Sequence, residues 1–242
     1  MITYTINGEK RQGKTSWHEL TLGEYLQVVS SSTIEAVCLL SGLSIQEYNQ
    51  ADEGMQALFA IISELLDTEP GGSKPEWLAT NLGADTIGKL ELSRKYLKEF
   101  EEEPEQALAF IFAAYRWPEE YDAVYAISGA GFPQHLVARA NKQPLSEVIG
   151  VVAHVLQESN RLNERYAPIL DKEPTEEQFR AGIERFEKYG FYATLLSYCN
   201  GDLSRLTALL KLSADVFYTA LCIDTEKADY EEKYRDIMSQ QR

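Results

Sequence analysis

Cysteine, histidine and basic charge are all scarce in this chain, and each scarcity removes a class of function. The three cysteines, Cys38, Cys199 and Cys222, are too few and too scattered for a disulfide framework or a zinc site, and each falls in an apolar helical pattern. They read as buried free thiols in a reducing compartment. The three histidines form no H-x-x-x-H pair and no C-x-x-C is present, so no metal site and no cofactor is expected. No serine sits in a G-x-S-x-G turn, and acid pairs such as Glu119-Glu120 and Glu231-Glu232 are adjacent, pointing to different sides of a helix. No catalytic residue is therefore assigned, and no enzymatic activity is expected. Lys and Arg number 23 against 38 Asp and Glu, a net charge of -15. Nucleic-acid affinity comes largely from basic side chains neutralising phosphates, so a neutral or basic protein is the expected partner rather than DNA or RNA. The start of the chain has no charged-then-apolar signal, and no apolar run approaches the ~20 residues of a membrane span. A soluble cytoplasmic protein with no membrane partner is expected.

What is present is helical punctuation. Ile2 to Ile6 alternate apolar and polar residues and lead into Asn7-Gly8, which predicts a small N-terminal hairpin. Thr21 with Glu24, and Ser44 with Glu47, have capping-box spacing. The first box opens a helix carrying Tyr25, Leu26, Val28 and Val29; a second helix with Ile34, Val37, Cys38 and Leu40 stops at Gly42. Met55, Leu58, Phe59, Ile62, Leu65 and Leu66 form the stripe of a further helix. Asp67 to Glu76 concentrates proline, glycine and charge and reads as an exposed loop. Beyond it, helices are expected over about 86–102, from Pro104 with Leu108, Ile111, Phe112 and Tyr115 on one face, and from Pro144 to about Tyr166. Thr175 and Gln178 cap the next helix, and Phe179, Ile183, Phe186 and Tyr189 lead to Gly190. From Ser213 a stripe of Val216, Phe217, Ala220 and Leu221 fades into a charged helical tail. The five glutamates from Glu99 to Glu105 lack the turn glycine of a calcium loop and read as a solvated helix end. No internal repeat is apparent.

Two patterns invite stronger readings. Gly8 to Thr15, GEKRQGKT, matches the phosphate-binding pattern G-x-x-x-x-G-K-S/T. Its strand is half-polar, however, and the capping box starts the next helix six residues too late for a phosphate to meet its N-terminus, so the segment reads as the second strand of the hairpin. Gly201 to Leu221 has the outline of a DNA-binding helix-turn-helix, but its second helix opens with Ala214, Asp215, Val216 and Phe217, an acidic and apolar start unsuited to base edges and phosphates.

Aromatic residues gather in Trp117 to Tyr125 (WPEEYDAVY) and Tyr189 to Tyr192 (YGFY), at a proline and a glycine. Trp117, Tyr121, Phe191 and Tyr192 are the candidate protein-binding residues, with core anchors at helix junctions as the alternative. Phe191 and Tyr192 are adjacent at a helix start, so one is expected to face inward and Tyr192 outward. The expected fold is mainly α, a multi-helix bundle-like domain with a small N-terminal β-hairpin. It divides into 1–66, a loop over 67–76 and a helical body over 77–242, or forms a single domain over 1–242.

Ser16 to Tyr48 (SWHELTLGEYLQVVSSSTIEAVCLLSGLSIQEY) and Tyr189 to Leu221 (YGFYATLLSYCNGDLSRLTALLKLSADVFYTAL) resemble a group of small acidic helical proteins of tailed phages and prophages, regarded as tail-assembly chaperones or accessory assembly factors. The resemblance implies a non-enzymatic factor that keeps a tail protein, typically the tape-measure protein, soluble in the host cytoplasm during tail morphogenesis. The alternative that it leaves open is a structural virion component such as a connector, ring or tail subunit. A nucleotide-binding protein rests on Gly8 to Thr15 alone.

Overall fold

The computed structural model describes residues 1–6, 8–50, 53–99, 104–120, 133–170, 174 and 176–240. The fold is mainly α with one two-stranded sheet among these residues, as the sequence predicts. The chain forms two compact units, neither of them continuous in sequence: Met1–Leu78 with Tyr96–Pro118 and Phe132–His154, and Ala79–Lys95 with Glu119–Gly131 and Val155–Arg242.

In the first unit β1 (Ile2–Ile6) pairs antiparallel with β2 (Glu9–Gly13), with Ile6 opposite Glu9 and Ile2 opposite Gly13. Gly8 supplies the positive φ of the turn, at 82°. The expected Asn7 turn residue lies outside the described residues. Three short helices follow, α1 (Leu22–Val29), α2 (Thr33–Ser41) and α3 (Ile45–Asn49), each opened by a complete capping box: Thr21 with Glu24, Ser32 with Glu35, and Ser44 with Glu47. The middle box lies at the end of the serine run Ser30 to Ser32. Gly42, at φ 72°, ends α2 in the left-handed conformation that suits glycine. α4 (Glu53–Leu66) buries Met55, Leu58, Ile62 and Leu65 as its stripe requires.

The helix opened by Pro104, α6 (Pro104–Arg116), departs from its expected single face. Every residue from Ala107 to Tyr115 is buried, so it is a central helix, apolar all round. Its alanines 107, 109, 113 and 114 let neighbours approach on the sides that the larger residues do not fill. Tyr96 of α5 (Ile87–Glu99) lies 4.5 Å from Phe110, and Phe112 meets Trp77 and Trp117 edge-on. α7 (Gln134–Ala140) packs beside it through Leu136 and Ala140.

The segment over 67–76 is mostly exposed, as expected, yet its backbone lies directly on α8 (Leu145–Leu170) within the first unit. A Cβ on Gly150 would come within 2.0 Å of the Ser73 carbonyl oxygen, and one on Gly72 within 2.3 Å of the Ser146 carbonyl oxygen. Two glycines thus permit a backbone-to-backbone approach that any side chain blocks. Trp77 Nε1 donates to Glu147 Oε1 at 2.7 Å just beyond it.

The second unit contains most of α5 and α8, α9 (Glu176–Arg180), the 3-10 segment Ile183–Tyr189, α10 (Phe191–Tyr198), α11 (Leu206–Leu210) and α12 (Ala214–Gln240). The expected Thr175 cap lies outside the described residues, as does most of the acidic run from Glu99 to Glu105. The core here is Ile87, Leu90, Leu162, Tyr166, Leu195, Leu206, Leu210, Phe217 and Tyr218 with Cys199 and Cys222. All three thiols of the chain are buried. Val216, expected in this stripe, is 58 % exposed, because Phe217 and Tyr218 turn inward beside it.

Although no repeat is apparent in the sequence, both units use one local device. In the first, Thr21 bridges to Pro144, Leu22 N–H donates to the Gln143 carbonyl and Leu145 N–H to the Leu20 carbonyl, both at about 2.9 Å or less. In the second, Thr86 bridges to Ser213, Ile87 N–H donates to the Leu212 carbonyl and Ala214 N–H to the Asp85 carbonyl, each at 2.8 Å. Amides that the starts of four helices would leave unpaired are satisfied in pairs across these bridges, with Leu22, Leu145, Ile87 and Ala214 fully enclosed beneath them.

Candidate protein-binding surface

The phosphate-like segment has other work. Its residues 9–13 are β2, and three groups of the hairpin and the residue after it cap the C-terminal carbonyls of α2. Lys14 N–H donates to the Leu40 carbonyl at 2.7 Å, the Tyr4 hydroxyl to the Ser41 carbonyl, and Arg11 Nη1 to the Gly42 carbonyl at 3.1 Å. Lys14 Nζ is paired with Glu24 Oε1 at 2.5 Å rather than free in solvent. Burial pushes the Glu24 carboxyl up, but hydrogen bonds from Lys14 and the Thr21 backbone outweigh it and hold the group below its ordinary value. Calorimetric titration with ATP and magnesium is therefore expected to give no binding heat. Lys14→Ala should lower stability by no more than about 1 kcal/mol, since the pair is half-open to solvent. Micromolar nucleotide binding that disappears in Lys14→Ala would overturn the hairpin assignment.

The helix-turn-helix outline fails on length and on contacts. Its first helix, α11, has five residues, and the first turn of α12 faces the protein: Ala214, Phe217 and Tyr218 are buried. Asp215 accepts from the Tyr166 hydroxyl at 2.8 Å and from Arg165 Nη1 at 3.5 Å. None of these groups is presented to a groove.

A polar cluster of the second unit joins α5, α8 and α12. Arg94 Nη1 donates to Glu91 Oε1 at 2.6 Å and to the Tyr218 hydroxyl, Nε donates to Ser159 Oγ at 3.0 Å, and Nη2 to Asn163 Oδ1 at 2.5 Å. The Tyr218 hydroxyl in turn donates to Glu91 Oε1 at 2.6 Å, and its ring stacks on Tyr166 at 5.1 Å. Burial first, and then the Glu91 carboxylate, push the Tyr218 hydroxyl well above the ordinary tyrosine value. A neutral phenol, a paired guanidinium and a paired carboxylate hold three helices together. Among the described residues no group of three or more His, Cys, Asp or Glu could hold a metal ion, and no helix is long and apolar enough to cross a membrane.

Of the aromatic candidates, Trp117 is half-buried in the first unit, edge-on to Phe112 at 5.8 Å, with the Arg139 guanidinium 4.1 Å above its ring. That contact makes it an anchor of α6. Tyr121 lies outside the described residues. In the second unit Gly190, at φ 48° and with open space where a Cβ would stand, turns the chain from the 3-10 segment into α10. Phe191 packs against Phe217 at 5.5 Å, and both Phe191 and Tyr192 are half-buried against the core. Tyr192, expected to face outward, is thus only partly in water. The exposed rings stand just before the glycine: Phe186 is 60 % and Tyr189 52 % exposed, with Phe179 of α9 also outside. These rings recur at helical spacing in the sequence, but a five-residue helix and a 3-10 segment do not carry the 3.6-residue repeat that would turn them inward.

No family model matches the chain, and no curated protein and no solved structure matches it.

Proposed function

We propose that the chain is a non-enzymatic protein-binding factor, a phage tail-assembly chaperone or accessory factor that holds a tape-measure-like tail protein soluble during morphogenesis. The observation that carries the protein-binding part is the exposed pair Phe186 and Tyr189 at the Gly190 corner. Large rings left in water beside a backbone turn are what a partner's apolar side chains bury. The net charge of -15 suits a client that is neutral or basic and keeps an unassembled complex from aggregating. The tail-assembly part is supported by the resemblance of Ser16 to Tyr48 and Tyr189 to Leu221 to the phage group.

Co-expression with a tape-measure-like tail protein tests the reading. The client is expected to become soluble and to copurify, and Phe186→Ser/Tyr189→Ser should reduce the copurified fraction at least tenfold without loss of helical content. Burying one such ring is worth ~2 kcal/mol, and two rings exceed the ~1.4 kcal/mol of a tenfold change. A client that stays insoluble sinks the chaperone reading, and recovery of this chain in fixed stoichiometry from finished particles would assign it instead to a structural virion component.

A further inference from the structure

The last helix, α12, carries two apolar faces. The inner one, Ala214, Phe217, Tyr218 and Cys222, is buried in the core of the second unit. On the opposite side Val216, Ile223, Tyr230 and Ile237 recur at seven-residue intervals, with Tyr234 beside them. All five are between 52 % and 66 % exposed. From Ile223 to Ser239 no residue is buried. At about 100° per residue, a seven-residue repeat keeps these side chains in one narrow seam, the spacing with which one helix packs along another. Tyr230 and Tyr234 already stack at 6.1 Å, so part of the seam is preassembled.

The charges beside the seam select the occupant. Asp224 and Glu231 border it on one side, Glu226 and Lys233 on the other, and Lys227 within it lies 3.9 Å from Glu231. Pairing with a parallel second copy would set Glu226 against Glu231 of that copy and Lys227 against its own counterpart. Antiparallel pairing would run the Asp224 and Glu231 edge along the same edge of the copy, a repulsion that the Glu226 to Lys233 pairs on the other edge no more than offset. Each arrangement also brings together two chains of net charge -15. A helix with basic residues beside its apolar stripe meets Asp224, Glu226 and Glu231 with attraction and only Lys233 with repulsion, and an apolar residue opposite Lys227 removes the like-charge pair.

We infer that the outer seam of α12, Val216, Ile223, Tyr230, Tyr234 and Ile237, is a docking site for one amphipathic helix of a basic partner protein. The site is separate from the Gly190 corner in sequence and uses different residues. An exposed helical stretch of this length gains little stability of its own in water, and a partner helix supplies the packing that it lacks.

The test uses the full chain and two synthetic helical peptides of four heptads. Both have leucine at the seam positions; one has lysine and arginine at the flanking positions, the other glutamate. Fluorescence anisotropy is expected to show the basic peptide binding at least tenfold more tightly than the acidic one. That binding should weaken at least tenfold in Ile223→Ser/Tyr230→Ser/Ile237→Ser, whose substitutions are all exposed and leave the core intact. Raising salt from 0.05 to 0.5 M should weaken it further. Equal binding of both peptides, or undiminished binding to the triple variant, would overturn the inference. So would a dimer in sedimentation equilibrium that the triple substitution dissociates, because the seam would then belong to a second copy. A chain that solubilises its client but ignores the basic peptide loses this inference and keeps the proposed function; the reverse pattern does the opposite.

Discussion

Gly150→Ala is expected to destabilise the protein by about 2 kcal/mol, against the ordinary preference of a helix for alanine. In a free helix the change would gain up to about 1 kcal/mol. Here the new methyl would stand 2.0 Å from the Ser73 carbonyl oxygen and 2.5 Å from its carbon, backbone atoms that cannot rotate away. Relief requires lifting the 67–76 segment from α8, which also disturbs the Trp77 to Glu147 hydrogen bond. For a chain of this size the loss corresponds to a fall in Tm of roughly 4–8 °C. Gly71→Ala is the control, since nothing lies within 4 Å of its added Cβ; it should be neutral or slightly stabilising. A Gly150→Ala protein as stable as the parent would mean that the segment does not rest on α8.

Arg94→Met is expected to cost about 3 kcal/mol. The substitution keeps much of the side-chain volume but leaves Glu91 without its cation and Ser159, Asn163 and Tyr218 without a donor. The pair is not wholly enclosed, with side-chain exposures of 18 % and 19 %, so the cost sits at the lower end of that for a buried pair. Removing the carboxylate as well, in Arg94→Met/Glu91→Gln, should recover part of the loss, because the stranded charge disappears. Urea denaturation of the single and double variants measures both effects. A loss below about 0.5 kcal/mol for Arg94→Met, in the range of an ordinary surface change, would reduce the cluster to a surface contact.

Much of the local structure is legible in the residues because its causes are local. A capping box involves groups three residues apart, so Thr21 with Glu24 and Ser44 with Glu47 can be read directly, and Ser32 with Glu35 has the same spacing within the serine run. The hairpin follows from alternation around a turn, and the termination of α2 from Gly42. The phosphate-like motif shows the limit of pattern alone. Its letters fit, but its backbone is taken up by the hairpin, and Lys14 N–H and the Arg11 guanidinium go to carbonyls at the end of α2, more than twenty-five residues away.

The candidate surface was less legible. YGFY identifies a corner, but which rings it leaves in water depends on what packs beneath. Phe217 takes Phe191 as a neighbour, and the 3-10 winding before Gly190 leaves Phe186 and Tyr189 outside. The seven-residue spacing of the α12 seam is present in the sequence, yet it overlaps an inner stripe one residue out of phase, and only burial separates the two.

By itself, then, the sequence determined the helical class, the hairpin, the caps and the acidic balance, since each depends on neighbours within a turn or two or on simple charge. Tertiary structure alone decided that α6 is central, that Gly72 and Gly150 bring a loop onto a helix, that two helix starts in each unit share a bridge, and that Val216 faces water while Phe217 does not. These outcomes depend on close packing between segments far apart in the chain, where one carbonyl or one methyl excludes the alternative, and no periodicity within a single segment encodes its neighbour.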